Sequence, residues 1–300
     1  MSGTTELAAL YSAIEEASRL LDVDCSRDKV WPILSAYEAG LSQAVIAFRV
    51  ATGAQHAGEF DYRFMTGVDP YAIALANGFA AKTEHPVGTL LAELSARFPI
   101  DDYGADCGVV GGFKKTYAFF PADGMQRLSD LAGLPSMPGG VAANTDLFAR
   151  YGLHDRTSLL GIDYRHRTVN LYFGEPPADC FEPGTIRSMV RDLGLPEPSE
   201  RLVRLGRKAF GIYVTLNWDS PEIERICYAV MTPDPLALAD EVDPRIERFV
   251  RSVQRDTADS RFVYAVTLAD GEEYYKLQSY YQWQPQMLDV MLLSDAVLNA

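Results

Sequence analysis

Cysteine is scarce in this chain, and long hydrophobic runs are missing. The four cysteines are scattered over 300 residues without a CxxC spacing. Such thiols are typical of a cytoplasmic protein in which cysteine is reduced, rather than of a disulfide or zinc framework. No apolar run approaches the roughly 18 residues that a membrane span needs. We therefore expect a cytoplasmic protein that does not insert into a membrane. The cysteines are Cys25, Cys107, Cys180 and Cys227.

Basic residues are outnumbered as well. Lysine and arginine number 27 against 41 acidic residues, so the formal net charge is −14. An acidic surface argues against a nucleic-acid partner and against a polybasic membrane-binding patch. A cluster of lysine and arginine inside the fold would run against this overall sign, which makes such a cluster a candidate site.

Histidine is rare, and its four occurrences are dispersed. We find no convincing Ser–His–Asp or Cys–His arrangement for nucleophilic catalysis. Only His166, close to the strand that contains Asn170, is placed to line a site, and a surface role fits it equally well.

Five strand pairs recur along the chain at a nearly constant interval. This regularity indicates one supersecondary unit used five times. The links at 51–58 and 269–271 are short, which predicts an antiparallel hairpin for each pair. The pairs start 50 to 58 residues apart, near Ala44, Asp102, Thr157, Arg207 and Arg261.

The residues between the hairpins have helical spacing. Two helices followed by two strands differ from the alternating βαβ order that is typical of a parallel sheet. Closure of antiparallel strands into a barrel would remove the exposed edges of the sheet. We predict an α+β fold in a single domain over residues 1–300. It is a ten-stranded antiparallel β-barrel with a solvent-filled lumen, surrounded by a ring of α-helices and built from repeated ααββ units. The predicted helices cover 6–21, 27–41, 70–77, 87–98, 139–151, 184–193, 243–254 and 286–298.

In such a barrel one face of each strand meets the helices and the other faces the lumen. Clean apolar faces within 169–173, 212–216 and 226–230 are predicted to meet the helices. The opposite faces are then luminal, and four of the five hairpins place a cation on them. The predicted luminal residues include Arg49, Asp61, Arg63, Lys115, Tyr117, Asn170, Tyr172, Tyr213, Thr215, Arg225, Lys276, Gln278 and Tyr280.

Residues 111–121, GGFKKTYAFFP, carry two adjacent lysines in a β-rich run. Strict alternation puts Lys115 and Tyr117 on the luminal face and Lys114 on the outer face. A wide lumen that is basic at some levels and aromatic at others fits an anionic ligand with an apolar part. We expect Lys115 to point into this cavity and to bind an anion.

Six segments, falling in order, resemble one known family, the soluble aromatic prenyltransferases of the ABBA, or PT-barrel, fold (CloQ/NphB class). The likeness runs from the N-terminal helix through the fifth hairpin, and it implies a ten-stranded antiparallel barrel ringed by helices. The segments are GGFKKTYAFFP (111–121), LPSMP (134–138), LFARYGL (147–153), VNLYF (169–173), TLNW (215–218) and EEYYKL (272–277).

Members of this family join an allylic diphosphate to an electron-rich aromatic ring. The resemblance implies transfer of a dimethylallyl or geranyl group to a small hydroxynaphthalene-, polyketide- or phenol-type acceptor. The reaction would be a Friedel–Crafts-type alkylation that releases diphosphate, in secondary metabolism. The expected partners are the allylic diphosphate and the aromatic acceptor, with no nucleic acid and no membrane, and we expect a monomer.

The family's site residues carry over to this chain position by position. Lys115, Tyr213, Arg225 and Lys276 are the implied catalytic residues, and together with Asn170 they match the diphosphate-binding set. Asp106 sits where the family has an acidic partner for the lysine of FKK. The implied walls around the prenyl chain and acceptor are Tyr117, Ser158, Leu159, Tyr172, Phe210, Gly211, Ala229, Met231 and Tyr280.

Several of these wall residues are small, which favours a roomy pocket for a fused ring over a tight slot. Trp283 and Gln284, near the last strand, could shorten the prenyl channel.

No cofactor is expected to be required, and Mg²⁺ is expected to be dispensable. The chain has no DDxxD motif, since DDYGAD at 101–106 has the wrong spacing. Metal-using relatives employ one aspartate in the first hairpin, which Asp61 matches, so Asp61 is the candidate ligand if Mg²⁺ is used. Folding this hairpin symmetrically about position 55 puts Arg49 opposite Asp61, with Arg63 two residues further on. We predict that Arg49 and Arg63 supply the charge of the metal and help to bind the diphosphate.

Three other interpretations share the barrel. A non-catalytic carrier would sequester a small anionic or aromatic metabolite but would not need cations from several hairpins at one level. A cyclase or isomerase of aromatic polyketides would use a luminal aspartate or tyrosine as acid or base, with no prenyl donor. A purely structural barrel would have a lumen filled with side chains.

Overall fold

Ten antiparallel strands close into one barrel in the computed structural model, which describes residues 2–238, 242–253 and 261–282. The strands are β1 Ile46–Ala51, β2 Asp61–Thr66, β3 Asp102–Gly108, β4 Gly112–Phe119, β5 Thr157–Asp163, β6 Thr168–Phe173, β7 Gly211–Asn217, β8 Arg225–Thr232, β9 Phe262–Ala269 and β10 Glu272–Gln282. They follow one another around the ring in chain order, and β10 pairs with β1 to close it. The predicted barrel of five hairpins is confirmed.

Helices fill the intervals between the hairpins. Two of them are not predicted from the sequence: α6, of five residues, and α10, of seven. The predicted helix over 286–298 lies outside the described residues. The helices are α1 Ser2–Leu20, α2 Arg27–Ala36, α3 Glu38–Leu41, α4 Pro70–Ala76, α5 Leu90–Arg97, α6 Leu128–Ala132, α7 Gly139–Ala143, α8 Thr145–Arg150, α9 Pro183–Asp192, α10 Glu200–Gly206 and α11 Pro244–Val253.

Local sequence signals fix where some of these elements begin. Asp69 caps α4 by accepting the backbone N–H groups of Tyr71 and Ala72, and Ser199 caps α10. Such caps each contribute about 1 kcal/mol. The two-residue link between β9 and β10 places Gly271 at φ 78°, a left-handed conformation that glycine adopts at little cost.

The main hydrophobic core lies between the barrel and the helices. The outward faces of β6, β7 and β8 are apolar, as predicted, and residues such as Leu171, Val214 and Ile226 are fully buried. Met189 of α9 and Phe249 of α11 are fully buried in the same core. Each side chain of this size stabilises the fold by about 1.5–3 kcal/mol through burial. The packed outer face holds the strands, and so fixes the positions of the luminal side chains.

A β-bulge in the second hairpin changes the predicted direction of one lysine. Asp106 of β3 pairs with Lys115 of β4, but the next residue, Cys107, pairs with Phe113, so Lys114 is an extra residue without a register partner. A bulge interrupts the alternation of faces. The prediction that Lys114 shares the outer face is therefore wrong, because its ammonium group binds Asp61 inside the barrel.

A second, smaller apolar cluster lies inside the barrel, separate from the outer core. It contains Tyr213, Cys227, Ala229 and Ala265. No helix among the described residues is long and apolar enough to cross a bilayer.

Candidate active site

Charged side chains of alternating sign line β1 to β4 on the luminal face. Arg49 and Lys114 each bind one carboxylate oxygen of Asp61. A terminal nitrogen of Arg49 also lies 3.0 Å from Asp106 Oδ2, and one of Arg63 lies 2.9 Å from the same oxygen. Burial alone would raise the pKa of Asp61 and that of Asp106, but the neighbouring cations hold both pKa values below the usual range. Both carboxylates are therefore ionised at neutral pH.

This network does not suit a Mg²⁺ ion at Asp61. Mg²⁺ needs carboxylate oxygens that are open to it, and both oxygens of Asp61 are already bound by cations. Asp106 Oδ1 has no hydrogen-bond partner among the described residues, but two guanidinium groups on the same carboxylate repel another cation. Within the part of the chain that the structure describes, no three His, Cys, Asp or Glu side chains are grouped for a metal ion.

Lys115 points into the lumen, as predicted, but its acidic partner differs from the predicted one. Its Nζ lies 3.0 Å from Asp163 Oδ2. Asp106 lies opposite Lys115 on β3, yet its carboxylate binds Arg49 and Arg63 instead. Asp163 takes the role because it is the register partner of Lys115 on β5, the other neighbour of β4, and no arginine binds its carboxylate among the contacts described.

Three predicted luminal polar residues form a row across β6, β7 and β8. Arg225 Nε donates to Thr215 Oγ1 at 3.0 Å, and that hydroxyl donates to Asn170 Oδ1 at 2.8 Å. The register places Thr215 between the other two residues. The row holds the Arg225 guanidinium and the Asn170 amide in fixed directions.

Lys276 lies beside two tyrosine rings. Its Nζ donates to the Tyr213 hydroxyl at 2.8 Å and lies 5.3 Å and 4.9 Å from the ring centroids of Tyr213 and Tyr274. Burial lowers the pKa of Lys276 to about 7, and the nearby arginines, Arg225 among them, act in the same direction. An anion bound at Lys276 would raise this pKa again, because opposite charge favours the protonated amine.

Tyrosine rings continue around the lumen from β4 to β7. Tyr172 stacks on Tyr213 with centroids 4.5 Å apart, and it meets the edge of Tyr117 at 6.2 Å. The Tyr117 hydroxyl contacts Arg63 at 2.9 Å and Asp106 at 3.1 Å. These rings therefore adjoin the charged network at one end and Lys276 at the other.

Small residues flank Lys276 on the neighbouring strands. Gly211, Ala229 and Ala265 lie side by side on β7, β8 and β9, and Ala265 pairs with Lys276. A Cβ placed on Gly211 would meet no atom within 4 Å, so the space in front of it is open. Phe210 packs against the same luminal cluster.

The remaining predicted wall residues Ser158, Leu159, Met231 and Tyr280 are half-buried. The Ser158 hydroxyl donates to the backbone carbonyl of Tyr172 at 3.3 Å. Trp283 and Gln284 lie outside the described residues. His166 does not line the lumen: its side chain is 64% exposed, and its ring contacts Asp163.

Among the described residues, the luminal cations keep part of their side-chain surface open to solvent. Although strands surround them, the side chains of Lys115, Arg225 and Arg63 are 13%, 19% and 23% exposed. Outward-facing residues on the same strands, such as Thr116 and Ile226, are fully buried. This difference argues against the structural interpretation, in which side chains occupy the lumen.

Lys114, Asp163 and Tyr274 contribute to the site without having been predicted. Tyr274 could have been found, because it lies two residues before Lys276 on the same face. Asp163 has a weaker signal, since it ends a strand whose alternate residues 159 and 161 are luminal. Lys114 has none, because the bulge that turns it inward leaves no mark in the hydrophobic pattern.

Comparison with known proteins shows the family of this chain. The family model described as aromatic prenyltransferase Orf2 matches residues 5–291. This chain belongs to the aromatic prenyltransferase family. The prenyltransferase is 52% identical to the 5,10-dihydrophenazine-1-carboxylate 9-dimethylallyltransferase of Streptomyces anulatus. The alignment spans 299 residues, which is 99% of this chain and 100% of the relative.

Two further relatives are about equally similar to the prenyltransferase. The flaviolin linalyltransferase of Streptomyces virginiae is 50% identical over 286 residues, 95% of each chain. The furaquinocin biosynthesis prenyltransferase of Streptomyces sp. (strain KO-3988) is 50% identical over 281 residues, 93% of this chain and 91% of the relative. Membership of the family confirms the predicted enzyme class and sets aside the carrier and the cyclase.

Proposed function

We propose that the protein transfers a dimethylallyl or geranyl group from its diphosphate to a hydroxylated, fused aromatic acceptor, without Mg²⁺. One observation carries the proposal. Cations from β1, β2, β4, β8 and β10 converge inside a closed ring of strands, next to a wall of tyrosines and a patch of small residues.

The cations and polar donors have the chemistry needed to make diphosphate leave. Charge that develops on a leaving group is stabilised by donors already fixed in place in a secluded site, and a single well-placed donor contributes roughly 2.7–4 kcal/mol. Lys115, Arg225 and Lys276 supply charge, and Asn170 and Tyr213 supply directed hydrogen bonds. Thr215 keeps two of these groups oriented.

The tyrosine wall suits the allylic cation that remains after diphosphate leaves. Aromatic faces attract a cation and exclude water, which would otherwise capture it. Tyr117, Tyr172 and Tyr213 form such a wall beside the cationic residues. An electron-rich carbon of the acceptor then attacks the cation, and transfer of the ring proton to a base, such as the released diphosphate or water, restores aromaticity.

Three built-in cations take the place of a metal ion in this proposal. The network has a net charge of +1, because it contains three cations, Arg49, Arg63 and Lys114, and two carboxylates, Asp61 and Asp106. It therefore still attracts an anion. The sequence-based prediction named only the two arginines, and Lys114 strengthens it.

The names of the relatives are consistent with either donor length. One relative is a dimethylallyltransferase, with a five-carbon group, and another is a linalyltransferase, with a ten-carbon group. The open space before Gly211 favours an acceptor with fused rings. We also propose that the protein is a monomer, which light scattering would check.

Incubation of the purified protein with dimethylallyl or geranyl diphosphate and a panel of hydroxynaphthalenes, dihydrophenazines and simple phenols tests the proposal. Half of the samples contain EDTA. We expect a prenylated product by mass spectrometry and equal diphosphate release with and without EDTA. Product formation that EDTA abolishes and Mg²⁺ restores would contradict the metal-free part, and absence of product with every pair would contradict the whole.

A further inference from the structure

Asp163 is the one acidic side chain that contacts Lys115 directly among the described residues. Its carboxylate is almost fully buried at the end of β5, 2% exposed, and its Oδ2 lies 3.0 Å from Lys115 Nζ. The same oxygen lies 3.0 Å from Nδ1 of His166, which is on the surface. Asp163 therefore links a solvent-facing ring to a cation inside the lumen.

The other oxygen of Asp163 has a separate structural task. Oδ1 accepts the backbone N–H groups of Arg165 at 3.0 Å and His166 at 2.8 Å, which closes the turn after β5. One oxygen thus fixes the carboxylate to the backbone, and the other is directed at Lys115. Burial alone would raise the pKa of Asp163, but Lys115 above all holds that pKa well below the usual range, so the carboxylate is ionised.

The surroundings of Lys115 otherwise disfavour its charge. Burial lowers the pKa of Lys115, and Arg225 and Arg49 lower it further. Two carboxylates oppose this effect: Asp163, which raises the pKa of the lysine most strongly, and the more distant Asp106. Without the charge of Asp163, a smaller fraction of Lys115 would be protonated before the donor binds.

We propose that Asp163 is a positioning residue that keeps Lys115 protonated and directed into the lumen before the donor diphosphate arrives. The inference rests on the proposed function, in which Lys115 binds that diphosphate. A neutral Lys115 would have to take up a proton on binding, and the affinity for the donor would fall accordingly.

Asp163→Asn separates the two tasks of the residue. An asparagine carbonyl still accepts the turn N–H groups, whereas the negative charge next to Lys115 is lost. Isothermal titration with inorganic diphosphate, in two buffers of different ionisation enthalpy, counts the protons taken up on binding. We expect Asp163→Asn to take up more protons than the wild type and to bind diphosphate about tenfold more weakly. For the allylic donor, KM should rise by more than kcat falls.

A second background makes the result specific to Lys115. Arginine stays protonated at all working pH values, so in Lys115→Arg the further change Asp163→Asn should leave proton uptake unchanged. Two results would overturn the proposal. One is equal proton uptake by the wild type and Asp163→Asn. The other is that Asp163→Asn increases proton uptake by the same amount in Lys115→Arg as in the wild type.

His166→Ala keeps the test decisive if Asp163→Asn does not fold. It removes the competing contact to Oδ2 but leaves the charge of Asp163 beside Lys115, so proton uptake should not increase. An increase would contradict the proposal. Because inorganic diphosphate needs no prenyl chemistry, a wild type that binds it as expected but prenylates no acceptor would refute the proposed function and leave the role of Asp163 standing.

Discussion

The ring of Tyr117 lies against the backbone of Gly161, its register partner on β5. A Cβ at Gly161 would lie 3.0 Å from Tyr117 Cε1, and one at Gly104, the partner on β3, would lie 3.2 Å from Cδ2. Two glycines thus let the ring lie close to the sheet. The ring of Tyr117 can take this position because neither Gly104 nor Gly161 has a side chain.

Gly161→Val should therefore narrow the lumen. The added side chain has no space beside Tyr117, whose hydroxyl is held by Arg63 and Asp106, so the ring must move inward. We expect the ratio of kcat/KM for geranyl over dimethylallyl diphosphate to fall about tenfold, the scale of a methylene-sized misfit. Gly139→Ala, at an exposed site with no atom within 4 Å of the new Cβ, is the control. A folded valine variant with an unchanged ratio would show that Tyr117 does not limit the channel.

Lys114→Ala should create a dependence on metal. The variant frees one carboxylate oxygen of Asp61 and removes one positive charge. We expect kcat/KM for the donor to fall by roughly 10²-fold, the effect of losing one stabilising donor, and millimolar Mg²⁺ to restore part of it. Lys208→Ala, which removes an exposed lysine, serves as the matched control. If Mg²⁺ leaves the Lys114 variant unchanged, the ammonium group does not occupy the place of a metal ion.

Donor binding should weaken as the pH rises through neutrality. The pKa of Lys276 is lowered to about 7, so the free enzyme holds the proton below this pH and loses it above. We expect kcat/KM for the donor to decline above about pH 7, whereas kcat declines only at higher pH because bound diphosphate raises the pKa. Lys276→Arg keeps its charge and should abolish the decline near pH 7. Persistence of that decline in the arginine variant would assign it to another group.

Thr215→Val should loosen the site without changing its shape. The valine removes both hydrogen bonds that connect Arg225 with Asn170, each contributing about 1 kcal/mol. We expect donor KM to rise about tenfold, an effect of roughly 1.4 kcal/mol, and thermal stability to fall slightly. Thr215→Ser, which retains the hydroxyl, should behave like the wild type. Equal KM values for the valine and serine variants would indicate that the row does not orient the diphosphate-binding groups.

Most of the barrel could be predicted from the sequence, because alternation within a strand is local. The faces of β6, β7 and β8 follow from the period-two pattern, and the pairing of Arg49 with Asp61 follows from the symmetry of a short hairpin. Short helices such as α6 and α10 leave too few residues for a helical period to stand out.

The electrostatic partners could not be predicted in the same way. Lys114 reaches Asp61 through a bulge, which interrupts alternation at a place that no residue type marks. Lys115 binds Asp163 of the next hairpin instead of Asp106 of its own, and that choice depends on which neighbouring strand brings its carboxylate closer.

The seam between β1 and β10 determines when this site can exist. Ala51 pairs with Lys276, and the backbone N–H of Tyr275 donates to Thr52 across 223 residues of chain. Contacts between such distant segments carry a large loop-closure entropy and form slowly. During synthesis, the arginines of the first hairpin are therefore joined by Lys276 only after the final hairpin has been made. The enzyme has no anion-binding cavity until almost the whole chain has been translated and folded.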